Sequence, residues 1–225
     1  MRFRRNGSVW FAAFLLCAAR APAVMAGVDP VGFWESKKTS RGGIGNALEF
    51  RADGTVVEAT TVLVEMAYRL IGDRLVTAME PPGADADTSK APTIHFEGDS
   101  LVMVGPDGST VRKDRVSGKG ASILGDWRYC HYAGAVAYER YAEDGSLLFR
   151  LPMRSTAGSY AVTGGELTIR MPEKPDATWT VEVRGDELLL STGGGPATEY
   201  RREKTGAWYD PAHPEKCSPA RPSRP

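Results

Sequence analysis

Apolar and polar residues alternate along most of the chain, and short turn sequences separate the alternating segments. In one such segment Trp179, Val181 and Val183 fall on one face, with polar residues between them. Because successive side chains of a strand point to opposite faces, this alternation is typical of half-buried antiparallel strands. After residue 27 no segment has a convincing helical period. The pattern predicts an all-β chain.

Turn signals recur between the predicted strands. Asp53-Gly54 and Asp144-Gly145 both stand between apolar runs. In such a position Asp-Gly supplies the positive φ angle of a tight β-turn, so each pair indicates a hairpin. Similar Gly-Asp and Gly-Gly pairs follow about every ten to fifteen residues, which is the rhythm of an antiparallel meander.

The chain also repeats itself. Four motifs recur in the same order with shifts of 93, 91, 92 and 87 residues, and they begin at Gly32 and Gly125, Phe50 and Tyr141, Tyr68 and Tyr160, and Ile94 and Val181. This regular spacing indicates a duplication. The predicted organisation is a signal peptide in residues 1–26, a first β-repeat in 30–116, a second β-repeat in 122–204 and a Pro-rich tail in 205–225. We expect about eight short strands in each copy.

The first segment has the layout of a secretory signal peptide. Residues 1–5 are basic, residues 9–19 form an apolar run, and Val24-Met25-Ala26 supplies small residues for cleavage. The run is shorter than the about 20 residues that a spanning helix needs, although an uncleaved anchor is the alternative. Since the Ala-, Gly- and Arg-rich usage fits a bacterial exporter, we expect a periplasmic or secreted protein.

Charge excludes one class of partner. The 28 Lys and Arg residues balance the 28 Asp and Glu residues, whereas a nucleic-acid-binding protein needs a basic excess. Removal of residues 1–26 leaves 24 basic against 28 acidic residues. A mildly acidic surface of this kind indicates no particular partner. The hydrophobic content of 42% suits one or two globular domains.

Two cysteines remain after the predicted signal peptide. In an oxidising compartment an even pair favours one disulfide, here between Cys130 and Cys217. The bond would tie the Pro-rich tail to the second copy. Two free thiols are the alternative, because pairing depends on geometry that sequence does not give.

The repeat resembles a known family. It has a Trp near its start (Trp34 or Trp127), an Asp-Gly turn, then Tyr-x-apolar-x-Gly-x-x-Leu and apolar-x-Gly-Asp-x-Leu segments, and the second copy closes on Tyr200-Arg201-Arg202. This pattern is similar to that of small bacterial lipocalin-like domains, which are secreted β-barrels. The first copy departs from it at residues 110–113 (Thr-Val-Arg-Lys). The resemblance implies two tandem small antiparallel up-and-down meander barrels, and it says little about function.

Two carboxylates break the repeat. Glu58 stands where the second copy has Phe149, and Glu139 stands where the first copy has Leu48. Each carboxylate is expected either to line a polar pocket or to turn to solvent at a bulge. Together with two aromatic residues expected to point inward, they give the candidate ligand-binding set Glu58, Tyr68, Glu139 and Tyr160.

Motifs of catalysis or metal binding are missing from the sequence. There is no HExxH, Cys-x-x-Cys or Gly-x-Ser-x-Gly motif, and the three His residues are scattered. We therefore expect no catalytic residues, no metal and no cofactor. An enzyme that uses Glu58 or Glu139 is the third-ranked alternative.

Export and duplication favour a non-enzymatic binding protein that carries or senses a small apolar or amphipathic ligand. An eight-stranded barrel is only wide enough to fill itself with side chains or to hold one small ligand. A packed core or a shallow cup is thus expected rather than a deep calyx. The main alternative is a protein-protein interaction module of the bacterial envelope, such as an assembly factor or an inhibitor, with Trp208 and the tail as its contact.

Overall fold

The computed structural model describes residues 28–172, 174–203, 209 and 215–218. Within these residues it contains fourteen strands and no helix, and every strand pairing is antiparallel. The prediction of an all-β antiparallel meander is confirmed. The predicted signal peptide and Trp208 lie outside the described residues. The strands are β1 (Gly32–Ser36), β2 (Ile44–Phe50), β3 (Thr55–Ile71), β4 (Arg74–Ala78), β5 (Thr93–Glu97), β6 (Ser100–Val104), β7 (Thr110–Arg115), β8 (Gly125–Cys130), β9 (Val136–Tyr141), β10 (Ser146–Thr163), β11 (Glu166–Arg170), β12 (Ala177–Arg184), β13 (Glu187–Ser191) and β14 (Thr198–Arg202).

Successive strands are neighbours throughout the sheet, and β1 pairs with β14, so the sheet closes on itself. The two longest strands, β3 and β10, also pair with each other across this closed sheet. Their ladder runs from Ala67 opposite Ser146 to Thr55 opposite Ser159, with one bulge between Pro152 and Arg154.

The β3–β10 ladder divides the closed sheet into two rings of eight strands. The first ring comprises β1, β2, the first half of β3, the second half of β10 and β11 to β14. The second ring comprises the second half of β3, β4 to β9 and the first half of β10. Each ring therefore takes strands from both copies of the repeat.

This topology corrects two expectations. The structure is one fourteen-strand sheet rather than a tandem pair of separate barrels, because the β3–β10 ladder joins the two copies. Each copy contributes seven strands rather than about eight, because β3 and β10 are 17 and 18 residues long and each runs through both rings.

Each ring encloses its own apolar cluster. Trp34, Leu167 and Leu188 are completely buried in the first ring, and Trp127 and Leu101 are completely buried in the second. A third cluster lies where the rings meet, and it combines side chains of β1, β2, β3 and β9 with one from the chain after β14. Its buried members are Phe33, Ala47, Ala59, Tyr138 and Tyr209.

The matched tryptophans of the two rings make the same two contacts, a hydrogen bond to a backbone carbonyl and a cation–π contact with an arginine. The indole N–H of Trp34 donates to the Pro30 carbonyl at 2.7 Å, and that of Trp127 donates to the Ile123 carbonyl at 2.7 Å. The guanidinium of an arginine at the end of the last strand of each copy lies over the indole ring. The distance from its central carbon to the ring centroid is 4.1 Å both for Arg202 over Trp34 and for Arg115 over Trp127. Both tryptophans are completely buried and belong to the core of their ring.

The two Asp-Gly hairpin turns form as the sequence predicts. Gly54 and Gly145 both have φ of +83°, a conformation that a side chain would strain. Asp53 accepts a hydrogen bond from the Thr55 amide, and Asp144 accepts the matching bond from Ser146, each at 2.9 Å.

The predicted disulfide joins Cys130 and Cys217. Residues 215–218 also pair with the turn between β8 and β9. The Val136 amide donates to the Glu215 carbonyl at 3.0 Å, and the Cys217 amide donates to the Gly134 carbonyl at 3.1 Å. Residues 215–218 are therefore tied to the second copy by a covalent bond and by backbone hydrogen bonds.

Candidate functional site

A pocket of about 210 Å³ opens at one end of the first ring. Its walls are mostly apolar side chains from β2 and β11 to β14, and the connection between β11 and β12 covers one side. Two of its lining residues are charged, Glu58 on β3 and Lys174 on that connection. The lining set is Leu48, Glu58, Ile169, Met171, Lys174, Pro175, Ala177, Trp179, Leu190, Thr198 and Tyr200.

The strand periodicity places these side chains in the ring. Glu58 shares its face of β3 with the buried Val56, two residues before it. Trp179 stands opposite Leu167 and packs on the same apolar cluster. The deeper half of the ring is filled by its core, so the pocket is a shallow cup. A filled core below a shallow cup matches the geometry expected of so small a ring.

Glu58 lies at the mouth of this cup. Strand β3 is regular here, with Glu58 opposite Leu48 on β2 and opposite Thr156 on β10. Its carboxylate oxygen accepts a hydrogen bond from Nζ of Lys174 at 2.8 Å. The Glu58 side chain is 30% exposed and the Lys174 side chain is 53% exposed. Of the two alternatives for Glu58, the structure gives the pocket-lining position, and the β-bulge lies elsewhere in β10.

Tyr200 lies between the Glu58 carboxylate and the apolar side chains of the pocket wall. Its side chain is buried on β14. Burial raises the pKa of its phenol, and the negative charge of Glu58 raises that pKa further. The phenol therefore stays neutral, and it presents an aromatic surface close to the carboxylate.

The corresponding part of the second ring is occupied by its own side chains. Glu139 and Lys113 form a buried ion pair there. Glu139 is 6% exposed and Lys113 is 2% exposed. Tyr141 donates to the same carboxylate, and the Tyr129 hydroxyl donates to it at 3.0 Å. The alternative in which a bulge turns Glu139 to solvent is wrong, because β9 is regular and directs this side chain into the ring.

The charge state of this cluster follows from its contacts. Burial alone would raise the pKa of Glu139, but the Lys113 charge and hydrogen bonds from Lys113, Tyr141 and Tyr129 outweigh it and lower that pKa. Burial, together with the Glu139 charge, raises the pKa of both phenols. Glu139 is thus a buried anion held by three donors of its own ring.

The four predicted ligand-binding residues do not form one site. Glu58 and Tyr160 lie in the first ring, whereas Tyr68 and Glu139 lie in the second. The Tyr68 hydroxyl donates to the Ala142 carbonyl and that of Tyr160 to the Arg51 carbonyl, each at 2.9 Å. These bonds hold the two Asp-Gly turns, so both tyrosines have structural contacts. Of the four, only Glu58 lines the cup.

Sequence reasoning missed several residues of the cup. Lys174, Met171 and Pro175 come from a connection with no strand alternation, so no periodic signal marks them. Tyr200 belongs to the closing motif of the second copy, and that motif indicates no role for it at the pocket. Its counterpart in the first copy is Lys113, and this departure was the signal that the two interiors differ.

A buried charged group also lies where the rings meet, outside both interiors. Nε and Nη2 of Arg150 donate to the two carboxylate oxygens of Glu35 at 2.8 and 2.7 Å. The Tyr209 hydroxyl donates to Glu35 at 3.0 Å. Strand alternation predicts an outward direction for Glu35 and Arg150, but their burial arises from packing of one ring against the other.

Comparison of the chain with protein-family models, with curated proteins and with solved structures gave no match. Residues 28–172, 174–203, 209 and 215–218 include no helix that is long and apolar enough to cross a membrane. In the same part of the chain, no three His, Cys, Asp or Glu side chains are grouped so as to hold a metal ion.

Proposed function

We propose that the protein is an exported, non-enzymatic binding protein that carries or senses a small apolar or amphipathic ligand in the cup of the first ring. The observation that carries the proposal is the pocket itself, which combines apolar and aromatic walls with one acid at its mouth. Concave, mostly apolar sites with a few polar groups are the usual form of small-molecule sites.

The size of the cup limits the ligand. Pockets for drug-sized molecules measure roughly 300–1,000 Å³, whereas this cup has about 210 Å³. An apolar cavity of about 150 Å³ is enough for benzene. The ligand is therefore a small aromatic or short aliphatic molecule, and a long lipid chain would extend into solvent.

The asymmetry between the rings supports assignment of the ligand to the first ring. In the second ring Lys113, Glu139 and Tyr141 occupy the interior. In the first ring the matched positions of Lys113 and Glu139 hold Tyr200 and Leu48, whose side chains line the cup. Loss of the ion pair from one copy thus coincides with an open pocket.

We also propose that the two rings are small lipocalin-like barrels that share β3 and β10. Eight strands per ring and the Trp–Arg contact at the start of each copy support this description. A periplasmic or secreted location is part of the proposal. It is supported by the layout of residues 1–26 and by the Cys130–Cys217 bond, because disulfides persist in oxidising compartments.

Native mass spectrometry of the protein from its own periplasm tests the proposal. We expect a bound mass that disappears on organic extraction. Ala177 lies opposite Ile169 and lines the cup, so Ala177→Phe should fill the pocket and remove the bound mass. The neighbouring Thr178 is exposed and points outward, and Thr178→Phe is the matched control that keeps it.

Two results would contradict the proposal. The first is a combination of two negative findings. Freshly purified protein shows only the mass of the bare chain, and titration calorimetry detects no binding of short alcohols or indole. The other is a bound mass that Ala177→Phe retains in full, since the ligand would then lie outside the cup.

A further inference from the structure

We infer that the ligand of the first-ring cup is a cation, namely a small apolar molecule that carries an ammonium group. This inference rests on the function proposed above, because it concerns the head group of the ligand that occupies the same cup. Four observations on the charged and aromatic residues of the two rings carry it.

The acid of the cup has a fixed position. Glu58 lies within β3, which is paired on both sides at this point, with Leu48 and Thr156 as its neighbours across the ladders. Its side chain lines the cup and is less exposed than that of its partner Lys174. A ligand in the cup therefore meets an acidic side chain that is attached to a backbone paired on both sides.

The basic residue of the cup, Lys174, can be displaced from Glu58 by a ligand. Lys174 comes from the connection between β11 and β12, and its side chain is more than half exposed. A lysine has a flexible four-carbon stem and a strongly hydrated ammonium, so it reaches solvent at small cost. Lys174 thus occupies the place in which a ligand ammonium would bind Glu58.

Aromatic rings complete a cation site. Trp179 and Tyr200 line the cup together with Glu58. The faces of such rings attract ammonium groups by about 0.5–2 kcal/mol, depending on desolvation. An anionic ligand would gain nothing from these faces, and the Glu58 charge would repel it.

The second ring holds the same combination of groups around an ammonium of the chain itself. Nζ of Lys113 pairs with the Glu139 carboxylate and lies 4.8 Å from the ring centroid of Tyr129 and 5.5 Å from that of Tyr141. In the first ring an acid and two aromatic side chains are present, and the position of Lys113 is taken by Tyr200. The second ring thus holds a buried ammonium of the chain itself, whereas in the first ring the ammonium beside the acid is that of the half-exposed Lys174, which a ligand can displace.

Three six-carbon probes with different head groups test the inference on the full-length mature protein. Titration calorimetry compares hexylammonium, hexanol and hexanoate. We expect hexylammonium to bind about tenfold more tightly than hexanol, which corresponds to ~1.4 kcal/mol, and hexanoate to bind most weakly. The advantage of hexylammonium should fall as salt is added, because the mouth of the cup is exposed to solvent.

Variants separate the roles of the two charged residues. Glu58→Gln should abolish the advantage of hexylammonium and leave hexanol binding within about twofold of wild type. Lys174→Ala should retain or tighten hexylammonium binding because a competitor is removed. Glu182→Gln is the matched control, since Glu182 is an exposed acid on β12 that pairs with Arg184 outside the cup, and it should change nothing.

The outcomes that overturn the inference differ from those that overturn the proposed function. If hexanol binds but hexylammonium is no tighter, or if Glu58→Gln keeps the preference, the inference fails and the pocket remains. If hexanoate binds most tightly and Lys174→Ala weakens it, the ligand is an anion. If none of the three probes binds, both the inference and the proposed function fail.

Discussion

Lys113 occupies in the second ring the place that Tyr200 occupies in the first. Lys113 lies opposite Leu101 on β6, and Tyr200 lies opposite Leu188 on β13, the matched leucine of the other copy. One difference between two copies of a repeat therefore accompanies a filled interior in one ring and an open cup in the other. Glu139, which replaces the Leu48 of the first copy, completes the difference.

The Lys113–Glu139 pair gives the first prediction. Lys113→Met should reduce the free energy of unfolding by about 3–5 kcal/mol, because it leaves a buried carboxylate without its counter-ion. The double variant Lys113→Tyr/Glu139→Leu copies the first ring. It should unfold within about 2 kcal/mol of wild type, because it removes both charges together. Urea unfolding measures both, and equal destabilisation by the single and double variants would contradict the buried pair.

The same pair predicts a pH dependence. The pKa of Glu139 is lowered in the folded protein below the usual 4.5, so its contribution to stability is present above that value. It is lost as the pH falls through the folded-state pKa. The melting temperature of wild type should therefore fall more steeply below about pH 4.5 than that of Lys113→Tyr/Glu139→Leu. Parallel curves for the two proteins would show that Glu139 does not titrate as described.

The arginines over the two tryptophans should stabilise both rings. Arg202 also donates to the Val31 carbonyl at 2.8 Å, and Arg115 donates to the Gly120 carbonyl at 2.7 Å. Arg202→Ala and Arg115→Ala should each cost about 1–3 kcal/mol, because a cation–π contact and a charge-assisted hydrogen bond are lost together. Arg184→Ala, at an exposed arginine of β12, is the control with little effect. Thermal unfolding measures all three variants, and a cost no larger than that of the control would show that the stacked arginines contribute little.

The Cys130–Cys217 bond should be detectable in the mass of the protein, and its removal should lower the stability of the fold. The protein with this bond intact should be two hydrogens lighter than its reduced form. Cys130→Ser/Cys217→Ser should reduce the free energy of unfolding by about 2–4 kcal/mol, since the bond closes a long loop in the unfolded chain. A reduced mass in the freshly isolated protein would contradict this pairing.

The shared ladder predicts that neither copy folds alone. Fragments 28–118 and 119–225 each carry only part of both rings, so each leaves open strand edges where β3 meets β10. Each fragment by itself should show no cooperative unfolding, whereas the two fragments expressed together should copurify in equal amounts and unfold cooperatively. Cooperative unfolding of either fragment as a monomer would contradict the shared-strand topology.

Much of this architecture was readable from local pattern. Period-two alternation, as in the segment around Val181, fixes an extended backbone with one buried face. In Asp53-Gly54 and Asp144-Gly145 the glycine tolerates the positive φ that a tight turn requires, and both turns form. The pair of cysteines after residue 26 favours a disulfide over two free thiols, and the bond forms. The break of the repeat at Glu58 and Glu139 marked the two positions at which a carboxylate enters a ring.

The way in which the strands are shared was decided only by the tertiary structure. Alternation gives the two faces of a strand and not its neighbours, so it did not reveal that β3 and β10 pair and distribute each copy over two rings. The break of the repeat marked Glu139 and Glu58 as unusual acids. It did not identify their ion-pair partners Lys113 and Lys174, because each partner lies on a segment distant along the chain. The burial of Arg150 against Glu35 likewise depends on contact between the rings. The sequence by itself determined periodicity, turns and the positions of the exceptional charges. Which residue neutralises each charge, and which ring stays open, depended on long-range packing, because ion pairing and cavity filling are properties of side chains brought together in space.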